Sequence, residues 1–170
     1  GGVNEISFDS NNDLWLANGL FGMIHFDGTN FTTYNTNSGL VSNSVRTIEV
    51  DQNDNKWVGT AQGITVFNSN NELLDQHTMM LLLPAPDTLN PVVDIVFDSQ
   101  GHVWTGIYVD YLVTVGGVAA WNGASWTGFS DDYLVGPVVR ALVVDENDAV
   151  WVATSTGVTK ISNPTLSVPC

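Results

Sequence analysis

The chain has 170 residues, 44% of them hydrophobic and 10% aromatic, which is ample for a packed core. It carries 18 Asp and Glu against 4 Lys and Arg, a net charge of −14 that would repel a nucleic-acid backbone or an anionic membrane. The one cysteine, Cys170, can form neither an intrachain disulfide nor a thiolate metal cluster, and no apolar run approaches the roughly 18 residues of a membrane span.

The first predicted element alternates apolar residues at Val3, Ile6 and Phe8 and ends on Asp9. A polar turn, Ser10-Asn11-Asn12, leads to a short strand around Trp15. A third strand opens at Gly22 and runs to Phe26, and the Asp27-Gly28 turn leads to an outer strand, Phe31 to Tyr34. The same order follows from Val45 through Asp51 and Trp57, from Val92 through Asp98 and Trp104, and from Val139 through Asp145 and Trp151. In the last copy only Thr165 to Val168 is left for an outer strand. No stretch carries a helical period.

The copies are self-similar at a fixed period. Asp9 and Trp15, Asp51 and Trp57, Asp98 and Trp104, and Asp145 and Trp151 are each 6 apart, and successive Trp residues are 42, 47 and 47 apart. Four-stranded units repeating in the forties are the pattern of β-propeller blades. The expected fold is therefore all-β: four four-stranded blades, about residues 1–42, 43–90, 91–136 and 137–170, in one partial propeller domain. Four blades point to part of a larger ring, or to one completed by a second chain. The chain starts at Gly1 rather than Met and reads as a processed product or an excised piece.

The segment Gly39-Leu40-Val41-Ser42-Asn43-Ser44-Val45-Arg46-Thr47-Ile48-Glu49-Val50-Asp51, followed by Lys56-Trp57-Val58-Gly59-Thr60 and Gly63-Ile64, resembles the two-component regulator propeller repeat. The likeness is good in the first, second and fourth copies and weaker in the third. It implies a propeller of the kind found in periplasmic sensors of hybrid histidine kinases and in secreted bacterial proteins. The expected location is accordingly extracellular or periplasmic.

Repeated residues are read as structural. The four repeat Trp residues should pack between blades. Trp121 falls where Phe26, Phe67 and Ile161 fall and Trp126 falls near Phe31, and both are read as core. Asp9-x-Asn11-x-Asp13 and Asp51-x-Asn53-x-Asn55 begin like a calcium loop, but the sixth and twelfth positions fail, so no metal or cofactor is expected. His25, His77 and His102 occupy non-equivalent positions without a surrounding motif, and no catalytic residues are assigned.

Function should lie where the copies differ. Two insertions, about 77–90 and 107–116, fall on the face that carries the blade links, and long loops gathered on one face commonly bind. The starts of the innermost strands share that face and hold Asn4, Arg46, Val93 and Arg140 at equivalent positions. The candidate ligand-binding residues are Arg46, Arg140, Tyr108, Asp110 and Tyr111. The Arg guanidinium would supply directed donors and Tyr an amphipathic stacking surface; pairing of the two Arg residues with Glu49, Asp94 or Asp131 is the competing reading. The expected function is a non-enzymatic extracellular ligand-binding or sensor module for a glycan or other extracellular ligand, with homo-oligomer contacts or further blades as other partners. The alternatives are a propeller lyase acting at the channel mouth and a structural subunit of a surface assembly.

Overall fold

A computed structural model describes residues 2–83, 89–108, 115–130, 132–162 and 166. The fold is a β-propeller section. Blade 1 is the antiparallel sheet β1 (Val3–Phe8), β2 (Leu14–Asn18), β3 (Gly22–Phe26) and β4 (Phe31–Tyr34), in that order. Blade 2 is β5 (Val45–Val50), β6 (Lys56–Thr60), β7 (Gly63–Phe67) and β8 (Leu73–His77), and blade 3 is β9 (Val92–Phe97), β10 (Val103–Tyr108), β11 (Gly116–Trp121) and β12 (Trp126–Phe129). Blade 4 has three described strands, β13 (Val139–Val144), β14 (Val150–Thr154) and β15 (Val158–Ile161). Its expected outer strand, Thr165 to Val168, falls outside the described residues except for Leu166. A 3-10 turn, Thr36–Ser38, capped by Asn35, sits in the link to blade 2.

The spacing of 6 between Asp and Trp has a structural cause. One carboxylate oxygen of Asp9 accepts the N–H of Asn11 and of Asp13, closing the first hairpin turn, while the other accepts the Trp15 indole N–H at 3.0 Å. Asp51, Asp98 and Asp145 hold their turns and their Trp residues in the same way, at 3.1, 3.1 and 2.9 Å. The third residue after each Asp takes positive φ: Asn12, Asp54, Gly101 and Asp148. Asn, Asp and Gly tolerate that backbone at least cost, which explains the composition of the turns.

The chain forms two compact units, Gly1–Thr78 and Met79–Cys170, each holding two blades. The units repeat the same internal interface. In the first, Trp15, Ala17 and Met23 of blade 1 pack on Val45, Ile48, Val58 and Phe67 of blade 2. In the second, Trp104 and Val118 of blade 3 pack on Val139, Leu142, Val150 and Val152 of blade 4. The Glu5 carboxylate accepts the Ile48 N–H, and the Asp94 carboxylate accepts the Leu142 N–H. On the hairpin side, Ser10 N–H donates to Asp54 and Ser99 N–H to Asp148. At the position of Glu5 and Asp94, blade 2 carries Thr47 and blade 4 Ala141, so within each unit the acid that crosses to the neighbouring blade stands on the first blade.

Three of the repeat Trp residues are buried as expected, at 0%, 8% and 0% exposure for Trp15, Trp57 and Trp104. Trp151 differs, at 38% exposed, although its bond to Asp145 is intact. Trp121 and Trp126 also depart from the expected core placement. Both are half-buried and lie against one another, with ring centroids 5.4 Å apart. The physical reason is position: they face each other across β11 and β12, on the outer side of the blade, where apolar residues are covered on fewer sides.

Candidate functional site

All four innermost strands break register at the same place. The pairing slips between Val3 and Glu5, Val45 and Thr47, Val92 and Asp94, and Val139 and Ala141. Asn4, Arg46, Val93 and Arg140 are therefore the bulge residues of their blades. A bulge re-aims one side chain out of the pleat, and bulges recur beside binding sites for that reason. The equivalence inferred from sequence is thus a shared backbone irregularity.

The four positions have distinct surroundings. Asn4 donates from its side-chain amide to the Val45 carbonyl at 2.8 Å and braces the bulge of blade 2. Arg46 is half-buried, and burial pushes its pKa down while leaving it cationic. No ion pair joins it to a carboxylate among the described residues. Arg140 is exposed. The competing reading, neutralisation by Glu49, Asp94 or Asp131, does not describe either Arg among the described residues. The Asp94 carboxylate accepts the N–H groups of Ile95 and Leu142, and Asp131 lies outside the described residues.

In unit 1 the turn between β2 and β3 belongs to the same face as Arg46. Asn18 accepts the N–H groups of both Leu20 and Phe21 at 3.0 Å, and this local cap leaves the two side chains 62% and 61% exposed. Sequence reasoning passed over this apolar pair. The signal was available, since the equivalent turn of blade 2 carries Ala61-Gln62.

In unit 2 the first insertion is pinned down. The Asn90 side chain, 0% exposed, accepts from Met80 N–H at 2.9 Å and Leu81 N–H at 2.6 Å and donates to the Leu81 carbonyl at 3.1 Å. This fixes Leu81 over bare glycine: a Cβ on Gly128 or Gly117 would stand 2.7 or 2.9 Å from its methyl carbons. Beside this clamp lies a pocket of about 420 Å³, lined by Met80, Leu82 and Leu83 of the first insertion, Val115 at the end of the second, and Trp126 and Ser130. The two insertions singled out in the sequence therefore meet at one cavity. Tyr108 closes β10 just outside that lining and donates its N–H to the Pro91 carbonyl. Asp110 and Tyr111 lie outside the described residues.

The histidines are embedded in the scaffold. His25 stacks on Trp15 at 4.2 Å and contacts Asp13 at 2.9 Å; His77 stacks on Trp57 at 5.8 Å and faces Asp75; His102 contacts Asp98 at 2.8 Å. Asp9, Asp13 and His25 bring one ligand atom each within 4.8 Å of one another. Geometry alone would admit a cation there. However, the Asp9 carboxylate already accepts three hydrogen bonds, and the Lys56 ammonium, 1% exposed, lies over the Trp15 ring at 5.1 Å. The cluster is the polar base of the hairpin turn.

No protein-family model and no curated protein sequence matches the chain. Solved structures do match. The extracellular domain of the hybrid two-component system BT3049 from B. thetaiotaomicron is similar at 22% identity and TM-score 0.74, covering 93% of this chain and 21% of that one. PorZ, a surface component of the type-IX secretion system of Porphyromonas gingivalis, is similar at 19% identity and TM-score 0.74, with 96% and 25% covered. A streptogramin B lyase is similar at 14% identity and TM-score 0.69, with 97% and 56% covered. The chain therefore spans a quarter or less of the first two proteins and just over half of the third. Likeness at these identities establishes the propeller fold. Among the described residues no helix is long and apolar enough to cross a membrane.

Proposed function

We propose that the chain is a ligand-binding section of an extracellular or periplasmic bacterial propeller of the two-component regulator type, working by recognition rather than catalysis. The observation that carries this reading is the unit 2 pocket, where the two insertions meet over a Trp. A concave, mostly apolar cavity with few polar groups is the usual form of a small-ligand site. Its lining favours a ligand with a flat apolar face, such as a sugar ring or an aromatic group stacking on Trp126. The extracellular location is supported by the BT3049 domain and PorZ, which are extracellular and surface proteins, and by the acidic composition.

A second surface has its own observation. Arg46 is cationic, half-buried and without an ion-pair partner among the described residues, on the face that also presents Leu20 and Phe21. It suits an anionic or hydroxyl-rich group, and Arg140 and Tyr108 are the corresponding proposals on the link face of unit 2; Asp110 and Tyr111, outside the described residues, are proposed from the sequence alone.

The test is a panel of neutral oligosaccharides, uronic-acid oligosaccharides and small aromatic compounds, screened by amide chemical-shift changes. The expected shifts cluster at 80–83, 115–116 and 126–130 for apolar-faced ligands and around Arg46 for anionic ones. Trp126→Ala should abolish the first set and Arg46→Ala the second, with Asn53→Ala in the opposite turns affecting neither. Shifts confined to the turns after Asp9, Asp51, Asp98 and Asp145 would refute the assignment.

A further inference from the structure

The chain carries two Asn-Gly pairs, Asn18-Gly19 and Asn122-Gly123, and the fold treats them differently. An asparagine followed by glycine can lose its amide without an enzyme. The glycine nitrogen attacks the asparagine Cγ, and a residue without a Cβ leaves that approach unobstructed. Two conditions decide whether a folded chain permits the attack. The side-chain carbonyl must be activated, and the glycine N–H must be free.

The first condition holds at both pairs. Asn122 Oδ1 accepts the N–H groups of Ala124 and Ser125, each at 2.9 Å, in the turn between β11 and β12. Asn18 Oδ1 accepts those of Leu20 and Phe21, each at 3.0 Å. In both turns two fixed donors point at the oxygen on which negative charge develops when Cγ is attacked.

Only Asn122 meets the second condition. The Gly123 N–H donates to no acceptor among the described residues, and a Cβ placed on Gly123 would meet nothing within 4 Å. The Gly19 N–H donates to the Gly2 carbonyl at 3.3 Å, and a Cβ there would stand 3.3 Å from Asn4 Nδ2. Asn18 is itself 5% exposed, whereas Gly123 and Ala124 face the solvent that supplies base and water. The leaving group has no bond to give up: Asn122 Nδ2 is buried and has no hydrogen-bond partner among the described residues.

We propose that Asn122-Gly123 is a self-modification site, deamidated through a cyclic imide with water as the only co-reactant, while Asn18-Gly19 stays intact in the folded chain.

The Gly123 nitrogen gives its proton to solvent base and forms a bond to Asn122 Cγ. The Cγ–Nδ2 bond breaks, and ammonia leaves with a proton returned by solvent. Water then opens the imide. Cleavage of the new N–Cγ bond gives aspartate, and cleavage between that nitrogen and the backbone carbonyl carbon of Asn122 gives isoaspartate. The sum exchanges one amide and one water for one carboxylic acid and one ammonia, with no change of oxidation state. Ionised, the acid adds one negative charge to a chain already at −14.

Blade 1 shows that this turn accommodates a carboxylate. Its equivalent is Asp27-Gly28, where Asp27 accepts the N–H groups of Thr29 and Asn30 at 2.8 and 2.6 Å. Isoaspartate instead routes the backbone through the former side chain. The Ala124 and Ser125 N–H groups then lose their acceptor in the turn that joins Trp121 to Trp126.

The test is peptide mapping by mass spectrometry after the folded chain is held at mildly alkaline pH in water enriched in heavy oxygen. The Asn122 peptide should become an acid carrying one heavy oxygen, in aspartate and isoaspartate forms, at a rate first order in hydroxide. The Asn18 peptide should lag by at least an order of magnitude. In guanidinium chloride, where neither glycine N–H is held, the two should convert at similar rates. Asn122→Gln, in which the attack would have to close a larger ring, should keep its amide and the β-sheet circular dichroism spectrum. Asn18 converting as fast as Asn122 in the folded chain would overturn the inference. So would an Asn122 that remains an amide there while both convert in guanidinium chloride.

Discussion

The Glu5 carboxylate accepts the backbone N–H of Ile48 at 2.9 Å, two residues past the bulge of the next blade. A bulge leaves ladder groups without a strand partner, and an unmade bond at a buried N–H costs about 1–3 kcal/mol. Asp94 repeats the arrangement on Leu142 at 2.6 Å. Glu5→Ala and Asp94→Ala should therefore each destabilise by about 1–3 kcal/mol in urea titrations. The two bonds share no partner, so the double variant should lose the sum of the two costs. A cost much smaller than the range for both would mean that water replaces the carboxylates freely.

The repeat Trp residues should not be equivalent in energy. Trp15 and Trp104 are fully buried between blades, and truncation of such a side chain costs about 3–5 kcal/mol. Trp151 keeps the same bond to its Asp but has 38% of its surface in water, so Trp151→Ala should cost clearly less in the isolated chain. Thermal melts of the two variants at low protein concentration separate these outcomes. Equal costs would show that the indole–aspartate bond, rather than packing, is what the repeat preserves.

The blade architecture was legible because its signature is local. Asp9, its turn and Trp15 form a closed hydrogen-bonded unit within seven consecutive residues, so the spacing survives in every copy whatever surrounds it. The bulge positions were legible for the same reason, as equivalents in aligned copies. What the sequence concealed depends on neighbours far along the chain. The crossing bonds Glu5–Ile48 and Asp94–Leu142 join the two blades of each unit, and the single-blade spacing hides them. Trp126 aligned with Phe31, itself 68% exposed on the outer strand of blade 1, and on β12 it borders a pocket that the insertions line. The apolar pair Leu20-Phe21 lies in a three-residue turn, Gly19 to Phe21, which carries no periodicity, and only comparison with Ala61-Gln62 in blade 2 exposes it.

Acid should weaken the fold in two separable windows. Burial pushes the His77 imidazole down from 6.5, against the opposing pull of Asp75, so the folded chain favours the neutral ring. A depressed folded pKa means that the unfolded chain takes up the proton first; this contribution is complete above pH 6.5 and is lost as pH falls below it. The second window belongs to carboxylates. The Trp151 indole N–H, then the Ala149 N–H, hold Asp145 far below 3.8; at Asp9 burial pushes upward, but Trp15 and the turn N–H groups leave the carboxyl net below 3.8. Their contribution is present above pH 3.8 and is lost as pH falls through that lower range. Unfolding midpoints across pH 2–8 should show both losses. His77→Phe should remove the upper one and leave the lower, and a single transition confined to the carboxylate range in the wild type would refute the role of His77.

The Asn90 clamp should control both the stability of unit 2 and the shape of its pocket. Asn90 is fully buried, and its amide serves Met80 N–H, Leu81 N–H and the Leu81 carbonyl together. Asn90→Ala strands all three backbone groups in an apolar setting, at about 1–3 kcal/mol for each group that water does not reach. Asn90→Asp keeps the acceptor but loses the donor to Leu81, and adds a charge to a site without a cation. Leu81→Ala removes instead the side chain that fills the space over Gly117 and Gly128, at a cost of about 2–5 kcal/mol. It should leave the three backbone bonds intact. Hydrogen exchange tells the two variants apart. In Asn90→Ala the Met80 and Leu81 amides should lose protection ahead of the β9–β11 ladder, whereas in Leu81→Ala they should follow the ladder. Should both amides remain protected without Asn90, the segment is held by packing alone, and the pocket would keep its form without the amide.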